Sequence, residues 1–216
     1  DVIERYNLRK PQVASSFLSR CLASSARELS VNKVVNEFKS RGVSTSRETL
    51  ANLLAYYEEA YLLFSLGDLN RSPAGNPRSS SKVYAVDPGL FAAFSRAASK
   101  EEGQRLETAV FNKLRRMASN ARTGSLARLT FEHNGGSHEV DFVFGDALLG
   151  DVFQLLQVSV DLANPKTRKR ELSALEAAME KYGIEESTIV TMDAEEVVDT
   201  GAGIVNVVPA WKWLIG

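Results

Sequence analysis

The chain has 216 residues, 44% of them hydrophobic and 25% charged, and a net charge of −1. These values are ordinary for a globular protein and exclude a disordered or fibrous chain. The chain has one cysteine, which excludes disulfide frameworks and cysteine metal sites and favours a reducing, cytoplasmic setting. It has no signal peptide and no apolar run approaching 18 residues, which excludes membrane spans.

Charge is divided unevenly along the chain. Residues 1–98 carry 13 Lys and Arg against 9 Asp and Glu, whereas residues 99–216 carry 13 against 18. The segment 99–103 also separates two stretches whose apolar patterns differ in period. We therefore predict two domains, 1–98 and 99–216. Because the chain starts at Asp1 rather than Met, we expect it to be a piece of a longer protein.

Three helices followed by a hairpin are predicted in the first domain. Thr45 and Glu48 form a capping box that starts the third helix, and residues 60–66 and 82–86 are strand-like. The order of a short helix, a turn, a capped helix and a hairpin is typical of a winged helix-turn-helix. Cys21 is predicted to be a core residue. The apolar residues at helical spacing are Phe17, Leu18, Cys21 and Leu22, then Val31, Val34, Val35 and Phe38, then Leu50, Leu53, Leu54 and Tyr57.

Polar and basic residues of the third helix and the wing are predicted to contact DNA. No acidic residue lies between Asp68 and Asp87, which suits a phosphate backbone. The alternative is a protein-docking module whose charges form a solvated face. The predicted DNA-contacting residues are Ser46, Arg47, Asn52, Arg71, Arg78 and Lys82.

The second domain is predicted to be a mixed-sheet α/β domain. A helix is expected near residues 104–117, and another between the Asn164-Pro165 cap and Gly183. Strands are expected at 126–133, 139–144, 152–160, 187–192 and 203–208. His133 and His138 are predicted to be surface or turn residues, and Trp211 and Trp213 to serve packing.

Asp141, Gln157 and Ser159 form the candidate site of this domain. Gln157 and Ser159 share one face of a strand, and Asp141 meets them if its own face agrees. A metal-dependent phosphodiesterase needs an Asp, then an acid, then a Lys two residues later. Here Gln and Ser occupy the last two places. Glu139 is interpreted as a second ligand or a rim charge, and Lys166 or Lys169 as a displaced lysine.

An ordered series of segments carries a resemblance to a known family. The chain resembles the C-terminal region, of unknown function, of prokaryotic AAA-type ATPases, over nearly its whole length. Residues 1–6 look like the segment after the ATPase lid, and residues 82–90 like the family's strand-and-turn marker. The other matching segments are 103–111, 139–143, 156–159, 164–171 and 208–214.

The resemblance implies a winged helix-turn-helix followed by a restriction-endonuclease-like domain of the PD-(D/E)xK type. Glu107 would be the acid of the first helix and Asp141 the aspartate of the motif. Gln157 and Ser159 would stand at the acid and lysine positions. A Mg²⁺ ion would be held by Glu107, Asp141 and Gln157, although a neutral Gln carbonyl binds a hard cation more weakly than a carboxylate does.

The function expected from this resemblance is the DNA-binding and effector portion of an AAA-type ATPase, with a degenerate nuclease-like site. No Gly-x4-Gly-Lys-Ser/Thr loop occurs in the 216 residues, so ATP would bind an N-terminal ATPase domain in cis. The alternatives are an active Mg²⁺-dependent DNA nuclease and a protein-interaction module that regulates the ATPase. No membrane partner is expected, and a homo-oligomer is compatible with the sequence.

Overall fold

The computed structural model describes residues 2–70, 81–94, 101–120, 125–146 and 149–216. The chain divides into two compact units, each combining helices with a β-sheet. Unit 1 is Asp1–Gly67 with Pro73–Thr108, and unit 2 is Asp68–Ser72 with Ala109–Gly216. The division after Thr108 lies beyond the predicted junction at residue 98. In the described part of the chain, no helix is long and apolar enough to cross a membrane.

Unit 1 is a set of helices around a three-stranded antiparallel sheet. Strand β3 lies between β1 and β2, so the predicted hairpin of β2 and β3 is confirmed. Helices α1 and α5 and strand β1 were not predicted, because each is short. The elements are α1 (Val2–Arg5), α2 (Pro11–Leu22), β1 (Arg27–Leu29), α3 (Val31–Ser40), α4 (Arg47–Glu59), β2 (Leu63–Leu66), β3 (Ser81–Ala85) and α5 (Pro88–Phe94).

The apolar stripes of α2, α3 and α4 form the core of unit 1, as their spacing predicts. Cys21 is 1% exposed, so its predicted core position is confirmed. Burial raises the pKa of the Cys21 thiol far above its ordinary value, which keeps the group protonated and unreactive. Tyr57 is also buried, and its hydroxyl donates to the Ala14 carbonyl at 2.6 Å. These contacts fix α4 against α2.

Two predicted boundaries in unit 1 are wrong. Helix α4 is capped by Ser46, whose hydroxyl accepts from the backbone N–H of Thr49 at 3.1 Å, and not by Thr45. Ser46 is extended and three residues before that N–H, which is the geometry a cap requires. The strand predicted at 60–66 starts at Leu63, because Tyr61 adopts a left-handed conformation with φ of 55°.

Unit 2 contains a six-stranded mixed sheet in the order β4-β5-β6-β7-β9-β8. The first three strands are antiparallel, β6, β7 and β9 are parallel, and β8 closes the edge antiparallel to β9. The predicted mixed sheet is confirmed, but β8 and α8 were not predicted. The elements are α6 (Glu102–Asn120), which begins in unit 1, β4 (Ser125–His133), β5 (Gly136–Asp146), β6 (Asp151–Val158), α7 (Pro165–Tyr182), β7 (Glu186–Thr191), β8 (Glu196–Thr200), β9 (Gly203–Pro209) and α8 (Ala210–Ile215).

Helix α7 crosses from β6 to β7 and packs on the sheet. Its predicted ends are confirmed. The Asn164 side chain accepts from the N–H groups of Lys166 and Thr167, and Gly183 ends the helix with φ of 68°. These caps place the first turns of α7 directly after the end of β6.

The predicted packing role of Trp211 is wrong, because 61% of the residue is exposed. Trp213 is partly buried, and its backbone carbonyl accepts from the Lys113 ammonium at 2.6 Å. The indole ring of Trp213 also lies 5.0 Å from that ammonium. Trp211 and Trp213 differ in exposure because a helix turns about 100° per residue, so side chains two residues apart point in different directions.

A buried ion pair attaches residues 68–70 to strand β4. Asp68 and Arg128 have side chains 1% and 2% exposed, and their charged groups lie 3.8 Å apart. The Asp68 carboxylate also accepts from the Thr130 hydroxyl and from the Asn70 N–H. Leu69 then donates its N–H to the Arg128 carbonyl at 2.8 Å and enters the core of unit 2.

We predict that Asp68→Asn lowers the free energy of unfolding of unit 2 by about 3 kcal/mol, because it leaves a buried guanidinium with less compensating charge. Chemical denaturation followed by circular dichroism measures this loss. The control is Glu196→Gln, which removes a half-exposed partner of Arg168 and should cost less than about 1 kcal/mol. Equal losses in the two variants would contradict the prediction.

Candidate functional site

Strands β5 and β6 separate at Asp141 and Gln157, and we call this point the strand fork. Their antiparallel pairing runs from Asp146 and Asp151 to Phe142 and Leu156. Continuing that register by one pair places Asp141 opposite Gln157. On its opposite edge, β6 pairs in parallel with β7 from Leu156 to Val158. The two side chains thus lie at the end of the shared ladder, as the sequence predicts.

At the strand fork, the side chains of Asp141 and Gln157 make hydrogen bonds in place of the backbone bonds of paired strands. The Asp141 N–H donates to Gln157 Oε1 at 3.0 Å, and the Val158 N–H donates to Asp141 Oδ2 at 3.1 Å. Asp141 is 8% exposed and Gln157 6%. Each side chain therefore satisfies a backbone donor that the separating strands would otherwise leave without a partner. The contact also holds both side chains in defined orientations.

Gln157 extends this network to helix α7. Its Nε2 donates to Glu171 Oε2 at 2.6 Å, and Glu171 is 2% exposed. Only one orientation of the amide fits both contacts, because the reversed amide would place a carbonyl oxygen against a carboxylate. The three residues Asp141, Gln157 and Glu171 thus form one buried hydrogen-bonded group.

Arg170 completes the network from the surface. Its Nε donates to Glu171 Oε1 at 3.1 Å, its Nη2 makes a second bond to the same oxygen, and its side chain is 75% exposed. The hydrogen bond with Glu171 and the charge of that carboxylate raise the pKa of Arg170 above its ordinary value. The charges of Asp141 and Glu139 raise it further. Arg170 therefore supplies a permanent positive charge beside the carboxylates of the strand fork.

Ser159 lies one residue beyond the end of β6, which is shorter than predicted. Its N–H donates to the Val190 carbonyl at 3.0 Å, and its hydroxyl donates to the Asp161 carbonyl at 2.9 Å. The residue is 8% exposed. The hydroxyl therefore closes a turn between β6 and α7.

Glu107 belongs to unit 1, where its carboxylate accepts two hydrogen bonds. The Lys82 ammonium donates to Glu107 Oε1 at 3.1 Å, and the Tyr84 hydroxyl donates to the same oxygen at 2.8 Å. The side chains of Lys82 and Glu107 are 11% and 15% exposed. The lysine predicted to contact DNA and the glutamate predicted to bind metal are thus engaged with each other.

The other charged candidates lie around the unit 2 network or outside it. Lys166 and Lys169 are exposed on the first turns of α7. Glu139 is half-exposed, 3.6 Å from the Arg128 guanidinium. His133 bonds to Glu180 at the end of β4. His138 is not a turn residue, because it lies within β5 and its ring stacks on Phe131.

The donor set of the strand fork fits a divalent cation poorly. Gln157 Oε1 accepts from the Asp141 N–H, and the Glu171 carboxylate accepts from an amide and a guanidinium. A hard cation needs several oxygen donors that are not already bound to donors of the protein. Among the described residues, no group of three or more His, Cys, Asp and Glu side chains could hold a metal ion.

Sequence reasoning missed Glu171 and Arg170 as site residues. The signal was present, because Glu171 lies at helical spacing from Ala174, Leu175 and Ala178 on the buried face of α7. An acid on an apolar stripe needs a buried partner. The sequence alone did not show that this partner is Gln157.

The predicted DNA-contacting residues of α4 lie on its exposed side. Ser46, Arg47 and Asn52 are exposed, whereas Leu50, Leu53, Leu54 and Tyr57 are buried. Arg71 and Arg78 lie outside the described residues. The cap and first two turns of α4 therefore offer a hydroxyl, a guanidinium and an amide to solvent.

Comparison with known proteins finds a family match over the first part of the chain and a longer relative. Residues 1–101 match a family described as a domain of unknown function (DUF8612). The chain is 31% identical over 219 residues to the uncharacterized protein MJ1544 of the archaeon Methanocaldococcus jannaschii. The match covers 99% of this chain and 46% of that relative, so the chain spans about half the relative's length. No solved structure matches the chain.

We predict that Gln157→Ala lowers the free energy of unfolding of unit 2 by about 2 to 4 kcal/mol, because the Asp141 N–H and the Glu171 carboxylate each lose a buried partner. Urea denaturation measures the change. Gln154→Ala is the matched control, since Gln154 is exposed on the same strand and its loss should cost less than about 1 kcal/mol. Similar losses in both variants would argue against the network.

Proposed function

We propose that this chain is the DNA-binding and effector portion of an AAA-type ATPase. In this proposal unit 1 is a winged helix that contacts duplex DNA. Unit 2 is a PD-(D/E)xK-like domain that keeps the nuclease fold and has lost the groups needed for cleavage. ATP binding and hydrolysis belong to an N-terminal ATPase domain in cis.

The exposed side of the first two turns of α4 is the observation that carries the DNA-binding proposal. A recognition helix places the residues of its N-terminal turns against base edges and phosphates while its opposite face packs on the domain. Ser46, Arg47 and Asn52 match that division, with a capped helix N-terminus beside the guanidinium. The order α2-β1-α3-α4-β2-β3 with β3 central in the sheet supports a winged helix.

The topology of unit 2 supports a nuclease-like fold. A helix precedes three antiparallel strands, and a helical crossover then leads to a parallel fourth strand. In this proposal Asp141 at the strand fork corresponds to the aspartate of such a fold. Gln157 and Ser159 supply neither a second carboxylate nor an ammonium for a developing phosphorane, which supports a binding role.

The ATPase part of the proposal rests on the family resemblance. The longer relative MJ1544 has room for a further region, since the match covers 46% of it. The net basic charge of residues 1–98 agrees with an anionic partner for unit 1. A DNA-binding module joined to an ATPase would direct the work of ATP hydrolysis to nucleic acid.

An active Mg²⁺-dependent nuclease is the second candidate. Asp141 favours it, because a buried carboxylate at a strand fork is the central ligand of such sites. In that case a carbonyl of Gln157 and a carboxylate would hold the cation, and Lys166 or Lys169 would approach from α7. Each of these groups would have to leave its present partner or position.

We predict that the chain binds duplex DNA and that the DNA stays intact in the presence of Mg²⁺ or Mn²⁺. We also predict that binding weakens steeply between roughly 50 and 200 mM salt, because phosphate contacts are lost as the salt concentration rises. Fluorescence anisotropy measures binding, and a denaturing gel resolves the products. Cleavage that Asp141→Ala abolishes would support the nuclease instead. If the chain bound neither duplex nor single-stranded DNA, the result would contradict DNA binding and favour a protein partner instead.

We predict that Arg47→Ala weakens duplex binding about threefold to tenfold and reduces the slope of log K against log salt by about 1, because one phosphate contact is removed. Salt titrations by anisotropy measure the slope. Lys33→Ala, which removes an exposed cation from α3 of the same unit, is the control and should leave the slope unchanged. Equal slopes for wild type and Arg47→Ala would exclude α4 from the interface.

A further inference from the structure

We infer that Gln157 and Arg170 together replace the divalent cation of a nuclease-type site and exclude metal ions from the strand fork. The inference deepens the proposed function, since it assumes that unit 2 is a nuclease-like domain. It adds a cause for the loss of activity. The site has acquired an internal cation in addition to losing two motif residues.

Burial makes a cation necessary at Glu171. A carboxylate that is 2% exposed and lacks a counter-charge is strongly destabilising. Arg170 supplies that charge from the surface, with two donors on one carboxylate oxygen. The other oxygen is bound by the Gln157 amide. Both oxygens of Glu171 are therefore occupied by groups of the protein.

Whether residue 157 carries an amide or a carboxylate determines which kind of cation the site accepts. An amide accepts through its oxygen and donates through its nitrogen, and Gln157 does both, to the Asp141 N–H and the Glu171 carboxylate. A glutamate at this position would still accept from the N–H but would place a second carboxylate against Glu171. Such a pair requires a metal ion or a shared proton.

Arg170 also restricts access to the remaining acids. The charges of Asp141 and Glu139 also act on its guanidinium, and Glu139 lies 3.6 Å from the Arg128 guanidinium as well. A divalent cation near Asp141 would be repelled by the Arg170 guanidinium and would find the Gln157 oxygen already bound. The geometry thus disfavours an external ion at the strand fork.

The test is thermal unfolding of EDTA-treated protein in the presence and absence of millimolar Mn²⁺, for wild type, Arg170→Met, Gln157→Glu and Lys169→Met. We expect no shift in Tm for wild type or for Lys169→Met, which removes a neighbouring exposed cation. In Arg170→Met and Gln157→Glu we expect Mn²⁺ to raise Tm by about 3 °C or more, since an ion that binds only the folded state stabilises it.

A Mn²⁺ response in either variant, with none in wild type, supports the inference even if the other variant fails to fold. A response in wild type that Asp141→Asn removes would overturn it, because the acids would then hold a metal despite Arg170. Absence of a response in both variants would also overturn it. DNA binding of wild type in EDTA, measured on the same preparation, tests the proposed function separately, since the Tm measurement needs no DNA.

Discussion

The amide of Gln157 is the interaction on which the architecture of unit 2 depends at its candidate site. It lies where the ladder of β5 and β6 ends, on the strand whose opposite edge pairs with β7. Through its oxygen it satisfies the Asp141 backbone, and through its nitrogen it binds the Glu171 carboxylate of α7. A single neutral side chain therefore connects two strands and a helix. Neither an ionised carboxylate nor an ammonium could make both contacts, because the first only accepts and the second only donates.

Several buried charges of this protein pair with a charge of opposite sign. Asp68 and Arg128 pair inside unit 2, Lys82 and Glu107 pair inside unit 1, and Glu171 pairs with Arg170 at the strand fork. Removing one partner of such a pair costs far more than the pair itself contributes. This constraint explains why two residues proposed for metal and DNA, Glu107 and Lys82, contact each other. It also leaves the exposed turn of α4 as the described part of unit 1 best suited to a nucleic acid.

Much of the fold was predictable because its signals are local. The stripes of α2, α3 and α4, the Asn164 cap and the stop at Gly183 each depend on residues within a few positions of one another. Strand alternation also allowed a meeting of Asp141 with Gln157, on the condition that the face of Asp141 agreed. The signals that failed depend on distant residues or on fine geometry. Strand β1 has three residues and exists through its pairing with β3, and the choice between Thr45 and Ser46 as cap depends on backbone conformation. Glu171 could have been suspected from its apolar stripe, but its partner lies 14 residues away on another element.

The central claim is that Gln157 and Glu171 are energetically coupled, and a double-mutant cycle tests it most directly. The free energy of unfolding is measured for wild type, Gln157→Leu, Glu171→Leu and the double variant in EDTA. We expect a coupling energy above about 1 kcal/mol, because each single change leaves the buried polar group of the other residue without this partner and the double change removes both groups. Additive losses within about 0.3 kcal/mol would contradict it.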